Sequence, residues 1–360
     1  MTKISRIMGS FYKLVTLKRT FQQYYNSLLY MNFMKNPTEI VPYDPPHITF
    51  FASYECTLSC KMCLTHSPFI PDNPYKYQGA KMLSFEMFKE AIDKFRKATV
   101  CAFIGNGEPL LNQNIFKMIE YASKKRKMYT SLCTNGTLLL ENIDDILASP
   151  LEHISISLNG HTPQIYNYIT GMDEKIFERI KEGIIKLVKK RNLIGKNLKI
   201  GITFILDKYT LKYAQEMINF GEEIGADEIG LNAIMPYPFT IEAAKRITLF
   251  ADEPTVKFLS ALRRPSRKIK VSLPRLLDEK EFRLCRDAFS SMSIDGDGNV
   301  GGCERMMLNT ADNGKFWDKD VFNNHHFRYL RRVFLNPAEK LPDPCKVCYN
   351  NSPHQLYLND

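Results

Sequence analysis

The sequence has no apolar run near the roughly 18 residues that a membrane-spanning helix requires. Its basic N-terminus is not followed by an uninterrupted apolar segment, so we expect no secretory signal. Its nine cysteines are an odd number, and most of them stand at metal-ligand spacings that do not fit a disulfide framework. These absences predict a cytoplasmic protein whose thiols stay reduced and bind metal.

Acidic residues are missing before Glu39, although residues 1–35 contain six lysines and arginines. Much of the formal net charge of +10 therefore lies on an N-terminal arm, residues 1–45. The apolar residues of this arm recur at helical spacing and predict an amphipathic helix. We favour a helix that docks its aromatic face on the rest of the protein; the alternative is contact with a membrane surface or an acidic partner. We expect no nucleic-acid binding, because the arm lacks a recognised nucleic-acid-binding fold.

Strand-like and helix-like segments alternate through residues 46–240, which predicts parallel β/α units. A proline-rich and partly basic stretch, residues 241–284, then reads as a linker with helices. Six units are too few for a closed eight-stranded barrel. The predicted strands are 48–54, 99–104, 128–133, 152–158, 199–206 and 228–233, and the predicted helices are 84–97, 114–126, 141–148, 174–191 and 210–224.

Three cysteines, Cys56, Cys60 and Cys63, follow the first predicted strand in the pattern C-x3-C-x2-C. Three thiols cannot complete a tetrahedral zinc site, which needs a fourth ligand. They can bind three irons of a cubane iron–sulfur cluster and leave the fourth iron open to a small molecule. Two alternatives remain: a zinc knuckle completed by a distant ligand such as His66, and a chance cluster of buried thiols.

Polar and glycine-containing segments follow the next three predicted strands. They are 105–109 (sequence GNGEP), 134–136 (TNG) and 155–160 (SISLNG). Alternation along the fourth strand points Ser155, Ser157 and Asn159 to one face, where they could line a barrel interior. Each segment alone also suits a tight turn, and no third glycine stands at the spacing of a dinucleotide-binding loop.

Together with the cysteine motif, these segments resemble the radical S-adenosylmethionine (radical SAM) superfamily, in the family's order. The resemblance implies an α/β fold, a (β/α)6 partial TIM barrel, with chemistry at the carboxyl ends of the strands. It also implies that Cys56, Cys60 and Cys63 hold a [4Fe–4S] cluster whose open iron binds SAM. The SAM contacts implied by the family, including the charge of Glu108 near the methionine ammonium, are Gly105, Asn106, Gly107, Glu108, Thr134, Asn135, Ser157 and Asn159.

A second cysteine group occupies residues 285–360. An Asp/Gly-rich turn at 295–299 predicts a hairpin that brings Cys285 and Cys303 together, and Cys345 and Cys348 form a C-x-x-C pair. The group resembles the truncated SPASM (twitch) domain, which implies one auxiliary [4Fe–4S] cluster with four thiolate ligands. Four thiolates also suit structural zinc, and that alternative stays open. Cys101 is predicted to be buried, and Cys133 to be structural or a hydrogen-atom donor to a substrate radical.

The resemblance implies an oxidoreductase or maturase that receives an electron from a donor such as flavodoxin or ferredoxin. It would cleave SAM to a 5′-deoxyadenosyl radical and take a hydrogen atom from its substrate. The auxiliary cluster would assist oxidation, cross-linking or epimerisation, and we favour a peptide or protein substrate. The alternatives are a dehydrogenase or epimerase of a sugar, cyclitol or other small molecule, and, from a different class, a non-catalytic zinc protein with a nucleic-acid-binding arm.

Overall fold

One nine-stranded sheet forms the centre of the protein. The computed structural model describes residues 19–70, 79–263, 265, 269–308 and 312–358. The strands are β1 (His47–Phe51), β2 (Val100–Ile104), β3 (Tyr129–Thr134), β4 (His153–Ser157), β5 (Lys199–Leu206), β6 (Glu228–Ala233), β7 (Lys270–Ser272), β8 (Ser291–Ile294) and β9 (Val300–Gly301). Their order is β7-β6-β5-β4-β3-β2-β1-β8-β9, and only β8 and β9 pair antiparallel. The six predicted strands are confirmed to within three residues.

The helices of the described residues connect and flank these strands, and the five predicted ones are confirmed. A π-helical turn, Tyr121–Lys125, extends the helix that ends at Glu120. The helices are α1 (Phe21–Phe33), α2 (Phe85–Lys94), α3 (Ile115–Glu120), α4 (Leu139–Ala148), α5 (Pro163–Thr170), α6 (Glu174–Leu193), α7 (Ala214–Glu223), α8 (Ile241–Ile247), α9 (Glu253–Ser260), α10 (Asp287–Ser290), α11 (His325–Leu335) and α12 (Asp343–Lys346). Among them, none is long and apolar enough to cross a membrane.

The two faces of the sheet differ in chemistry because successive side chains point to opposite sides of a strand. In β4, Ile154 and Ile156 enter the hydrophobic core together with Phe177 of α6. Ser155 and Ser157 instead line a cavity on the other face. The predicted inward orientation of these serines is therefore confirmed.

The predicted hairpin around residues 295–299 is also confirmed, as β8 and β9. Its position was not expected. β8 pairs in parallel with β1, with Ser291 opposite His47 and Ile294 opposite Phe50. The hairpin that leads to Cys303 thus extends the same sheet whose first strand leads to the first cysteine group, and the sheet continues across the predicted boundary at residue 285.

Arg331 of α11 fastens this C-terminal region to the segment that precedes β1. Its side chain is fully buried, and it donates hydrogen bonds to the carbonyl oxygens of Ala288 (3.0 Å), Glu39 (3.0 Å) and Phe322 (2.7 Å). A buried guanidinium is stable only when its donors are paired in this way. Arg331 therefore joins α11 to α10, which leads into β8, and to the segment that precedes β1.

The docked face of α1 makes part of the expected aromatic contact, since the rings of Tyr30 and Phe33 lie 5.5 and 5.4 Å from that of Tyr43, but its first turns dock through amide side chains. Gln23 and Asn26 are buried, and Gln23 Nε2 donates to the carbonyl oxygens of Ala98 (2.9 Å) and Arg126 (2.7 Å). Phe21 and Tyr25 are 80% and 54% exposed. The cause is local: backbone carbonyls at this edge of the barrel need donors, and amide side chains supply them. Residues 1–18 of the arm lie outside the described residues. Contact with a membrane surface or acidic partner stays a prediction, which vesicle co-sedimentation with and without residues 1–18 would decide.

Candidate active site

A cavity of about 650 Å³ lies inside the curve of the sheet, within the size range of small-molecule sites. Seven strands contribute to its wall, so the sheet wraps around it. Most of the residues that line it carry polar side chains, which is unusual for the inside of a packed barrel and typical of a binding chamber. Inward strand positions supply Thr49, Ser131, Cys133, Ser155, Ser157, Thr203, Asn232, Ser291 and Ser293.

The first cysteine group lies in the loop after β1, as predicted. Burial, followed by the neighbouring thiols of Cys63 and Cys56, raises the pKa of the Cys60 thiol to about 12. These three sulfurs are thus close enough to influence one another. The backbone N–H of His66 donates to Cys63 Sγ (3.3 Å), and Asn135 Nδ2 donates to Cys56 Sγ (3.5 Å). Such N–H···S bonds stabilise thiolates, the form in which cysteine binds metal.

The loop after β2 packs directly on the cysteine loop. A Cβ at Gly107 would lie 2.5 Å from the carbonyl oxygens of Glu55 and Ser53, and Gly105 has a φ of +143° with Phe51 2.7 Å from the place of its missing Cβ. Only glycine fits at both positions. The close partner of both glycines is the chain itself. The backbone N–H of Glu108 donates to the carbonyl of Glu55 (2.8 Å) and completes this contact.

Glu108 occupies a different environment from the one that the sequence predicted. Its side chain is fully buried, and its carboxylate accepts hydrogen bonds from the N–H of Leu110 (3.0 Å), the hydroxyl of Thr134 (2.8 Å) and the N–H of Asn135 (2.7 Å). Burial raises the pKa of Glu108, and these three donors oppose the rise. Glu108 and Thr134, which is only 2% exposed, therefore hold the loops after β2 and β3 in register, and the Glu108 carboxylate that was expected near an ammonium group is engaged by the chain itself.

Asn159 and Ser157 do face the cavity. Asn159 adopts a left-handed backbone conformation with φ of +62°, and the backbone carbonyl of Thr203 accepts its N–H (3.1 Å). Its Oδ1 is buried and has no hydrogen-bond partner among the described residues. A buried, unpaired amide oxygen costs free energy unless a ligand satisfies it. Asn159 is therefore suited to accept a hydrogen bond from a bound molecule.

The remaining predicted contacts connect the loops to one another. Asn106 accepts a hydrogen bond from His66 Nε2 through its backbone carbonyl (2.5 Å). Asn135 Nδ2 also donates to Thr57 Oγ1 (3.0 Å). His66, the example of a fourth ligand in the zinc alternative, thus has one ring nitrogen engaged by the loop after β2.

The second cysteine group lines a narrow cavity of its own. The four predicted ligands, Cys285, Cys303, Cys345 and Cys348, all contribute to its wall. Burial raises the pKa of Cys303 to about 12, so metal binding there would release protons. Within the described part of the chain, no three His, Cys, Asp or Glu side chains form a site for one metal ion.

Two cysteines outside these groups have different surroundings. Cys101 is fully buried, as predicted. Cys133 lines the large cavity, with its Sγ 3.6 Å from Ser157 Oγ. Burial raises its pKa to about 11, so it stays a neutral thiol near pH 7.

Sequence reasoning missed several residues that face the large cavity. Asp287, Cys303 and Arg305 line both cavities and form the partition between them. Arg305 Nε lies 2.9 Å from Met235 Sδ, and its guanidinium lies 4.9 Å from the ring centre of Tyr349. Glu304 also faces the large cavity. The available signal for Glu304 and Arg305 was their position directly after Cys303, and that for Asp287 was its position two residues after Cys285; both cysteines are predicted metal ligands.

Three thiols thus follow β1 at the carboxyl end of a parallel α/β barrel. Residues 52–221 match the Radical SAM superfamily. Residues 52–221 therefore carry a radical SAM domain, and the predicted resemblance to this superfamily is confirmed, whereas the resemblance of residues 285–360 to a truncated SPASM domain stays a prediction.

Curated relatives match parts of the chain. A probable GTP 3′,8-cyclase of Metallosphaera sedula is 30% identical over 185 residues, which are 51% of this chain and 54% of that protein. A probable GTP 3′,8-cyclase of Sulfurisphaera tokodaii is 31% identical over 132 residues, 36% of this chain and 39% of that protein. The chain thus spans about half or less of the length of these relatives.

Solved structures match more of the chain at lower identity. SuiB of Streptococcus suis bound to S-adenosylmethionine has a TM-score of 0.59 and 16% identity, covering 96% of this chain and 82% of SuiB. The enzyme anSMEcpe with bound AdoMet has a TM-score of 0.59 and 16% identity, covering 81% of each chain. These likenesses concern the fold, and they confirm the predicted partial TIM barrel.

The residues present fit the groups that the family implies. The first cysteine loop offers three thiols and N–H donors to two of them, which suits a four-iron cluster with one open iron. The unpaired Oδ1 of Asn159 offers an acceptor on the cavity wall. The four thiols that line the narrow cavity are the donor set of a second four-iron cluster.

Proposed function

We propose that this protein is a radical SAM enzyme that holds its substrate in the large cavity. One observation supports this above the others: a single cavity is lined both by Gly105 and Asn159, from the loops after β2 and β4, and by Cys303 of the second cysteine group. Substrate in this cavity would lie between the two predicted metal sites. The bound cluster and SAM would together supply a 5′-deoxyadenosyl radical that removes a hydrogen atom from the substrate.

The chain's own residues have distinct roles in this proposal. Cys56, Cys60 and Cys63 hold the first cluster. Asn159 and Ser157 orient SAM from the cavity wall, while Glu108 fixes the loops that carry its other contacts. Cys285, Cys303, Cys345 and Cys348 hold an auxiliary [4Fe–4S] cluster, which would supply a one-electron acceptor beside the substrate. The partition of Asp287 and Arg305 keeps the substrate close to that group.

The charges of the cavity bear on the substrate. A nucleoside triphosphate, the kind of substrate named for the GTP 3′,8-cyclases, needs several cations around its phosphates. The described lining residues include one arginine, Arg305, and two carboxylates, Asp287 and Glu304. This wall favours a neutral or mixed-charge polar substrate. We therefore propose a side chain of a peptide or protein, in keeping with SuiB bound to the precursor peptide SuiA and anSMEcpe bound to the Cp18Cys peptide.

A hydroxylated small molecule is the second candidate. Hydroxyl groups dominate the strand positions that face the cavity, and they match the hydrogen-bonding groups of a sugar or cyclitol. The neutral thiol of Cys133 favours epimerisation in particular, because an S–H group can return a hydrogen atom to a carbon radical. Cys133→Ala would then abolish product and spare SAM cleavage.

The test of the proposed function is anaerobic iron loading followed by dithionite and SAM. Formation of 5′-deoxyadenosine would support the radical reaction, and a zinc protein that forms none would contradict it. Candidate peptides and polyols are then added in D₂O. Loss of two hydrogens from one of them identifies an oxidation, and uptake of one solvent deuterium without further mass change identifies an epimerisation.

Replacing Glu304 by glutamine should weaken substrate binding. We propose that its carboxylate accepts hydrogen bonds from donor groups of the substrate, since it faces the cavity and no hydrogen bond or ion pair engages it among the described residues. Losing a charged acceptor should raise KM roughly 10- to 100-fold, while 5′-deoxyadenosine still forms. Glu223→Gln, on the exposed surface of α7, is the control. An unchanged KM in Glu304→Gln would exclude this role.

A further inference from the structure

A patch of exposed tyrosine and lysine side chains lies beside the first cysteine loop. We call its members Lys61, Tyr168, Tyr209 and Lys212 the tyrosine–lysine rim. The rings of Tyr168 and Tyr209 lie 4.7 Å apart and are 38% and 49% exposed. Lys61 Nζ is 4.6 Å from the Tyr168 ring centre, and Lys212 Nζ is 4.6 Å from that of Tyr209. The rim is therefore one continuous surface.

Hydrogen bonds to buried groups hold the rim in place. The hydroxyl of Tyr168 donates to Asp207 Oδ2 (3.0 Å). Asp207 is buried, and its Oδ1 accepts from the N–H (2.7 Å) and the hydroxyl (2.8 Å) of Thr210. The N–H of Lys61 donates to the carbonyl of Thr170 (2.8 Å). The carboxylate beneath the rim is thus engaged by the chain, and the exposed ammonium groups of the two lysines give the rim a positive charge.

The composition and position of the rim suit a protein partner. Rigid, exposed tyrosines are typical of binding hot spots, and lysines steer a partner of opposite charge to its site. Lys61 directly follows Cys60, and neighbouring Cα atoms are only about 3.8 Å apart. A protein bound on the rim therefore comes next to the first cysteine group, where the proposed function requires an electron.

We propose that the tyrosine–lysine rim is the docking surface for an acidic one-electron carrier protein. This inference rests on the proposed function. The carrier loses one electron, and the group held by Cys56, Cys60 and Cys63 gains it. An alternative occupant, the peptide substrate itself, is distinguished by the test below.

The test compares two reductants on the iron-loaded enzyme, with 5′-deoxyadenosine as the product measured. Dithionite is small and needs no docking surface, whereas a reduced flavodoxin, used here as an acidic carrier, needs one. The variant is Lys61→Glu combined with Lys212→Glu. The matched control is Lys125→Glu combined with Lys189→Glu, two exposed lysines outside the rim. Both pairs change the net charge equally.

At low salt, the rim variant should lose about tenfold or more of the flavodoxin-supported rate and keep the dithionite-supported rate. Lys212→Glu alone, which is remote in sequence from the cysteines, should show a smaller loss of the same kind. The control pair should match the unaltered protein. Added salt should slow the unaltered protein toward the rate of the rim variant, because exposed charges are screened.

Every other outcome contradicts either the proposed function or the docking surface. If the unaltered protein forms no 5′-deoxyadenosine with dithionite, the proposed function is wrong. If it does so, but the rim variant equals the unaltered protein with flavodoxin, the docking surface is wrong. If the rim variant loses both the flavodoxin-supported and the dithionite-supported rates, the rim supports the cysteine loop and the docking surface is wrong. If only substrate turnover with dithionite falls, the rim binds substrate and the docking surface is again wrong.

Discussion

A chain with Cys60 replaced by alanine should lose about four of about eight bound irons and form no 5′-deoxyadenosine. Cys60 is the middle thiol of the first group, and burial and its two neighbouring thiols together raise its pKa to about 12. Two remaining thiolates cannot hold a cubane cluster with a single open iron. The second cysteine group is separate and should keep its metal. Iron and sulfide analysis of anaerobically prepared protein measures the first effect, and product chromatography after dithionite and SAM measures the second.

Cys101→Ala is the matched control for this experiment. Cys101 is fully buried in β2 and belongs to neither cysteine group, so its substitution tests the general effect of losing a thiol from the core. It should retain about eight irons and its SAM cleavage. Full iron content and activity in Cys60→Ala would contradict the assignment of the first cluster.

Replacing Cys345 and Cys348 together by alanine should spare SAM cleavage and abolish the later oxidation of the substrate. About four irons should remain, 5′-deoxyadenosine should still form, and the oxidised product should disappear. The reason is the arrangement of the cavities: both cysteines line the narrow cavity, which shares Cys303 and the Asp287–Arg305 partition with the substrate cavity. Loss of the acceptor site therefore removes the electron sink and leaves the radical-forming end of the cavity intact.

The metal content of the unaltered protein decides how this second result is understood. About four irons with one zinc would keep the radical SAM domain and make the second site structural. The double substitution should then destabilise the fold and impair both activities together. A double variant that still forms oxidised product would exclude the auxiliary site from the reaction.

Much of the fold could be predicted because the pattern of the sequence repeats. The alternation of polar and apolar residues in β4, from His153 to Ser157, predicted both the strand and the face that lines the barrel interior. Helix α5 was missed although its signals were present: Thr162 caps it, Pro163 begins it, and Gly171 ends it in a left-handed conformation. The helix is only 8 residues long, so it offers too few turns for its apolar period to stand out.

The site was predictable only as far as its motifs extend. The cysteine loop and the polar segments after β2, β3 and β4 were found from the sequence, and the structure gathers them at the carboxyl end of the barrel. The inward turn of Glu108 could not be found, because it depends on three donors from two loops that are distant in sequence. Glu304 and Arg305 were missed for the same reason, since their exposure to the cavity depends on where the hairpin joins the sheet.

The pairing of β8 with β1 also limits how the chain can be divided. β1 is almost completely buried from Ile48 to Phe51, and β8 occupies one of its two hydrogen-bonding edges. A chain shortened to residues 1–284 would expose that edge together with the apolar side chains beside it. Open edges of this kind pair with other chains and aggregate. The C-terminal segment thus covers the edge of β1 in addition to supplying cysteines. We therefore expect its removal to make the protein aggregate, whatever it does to catalysis.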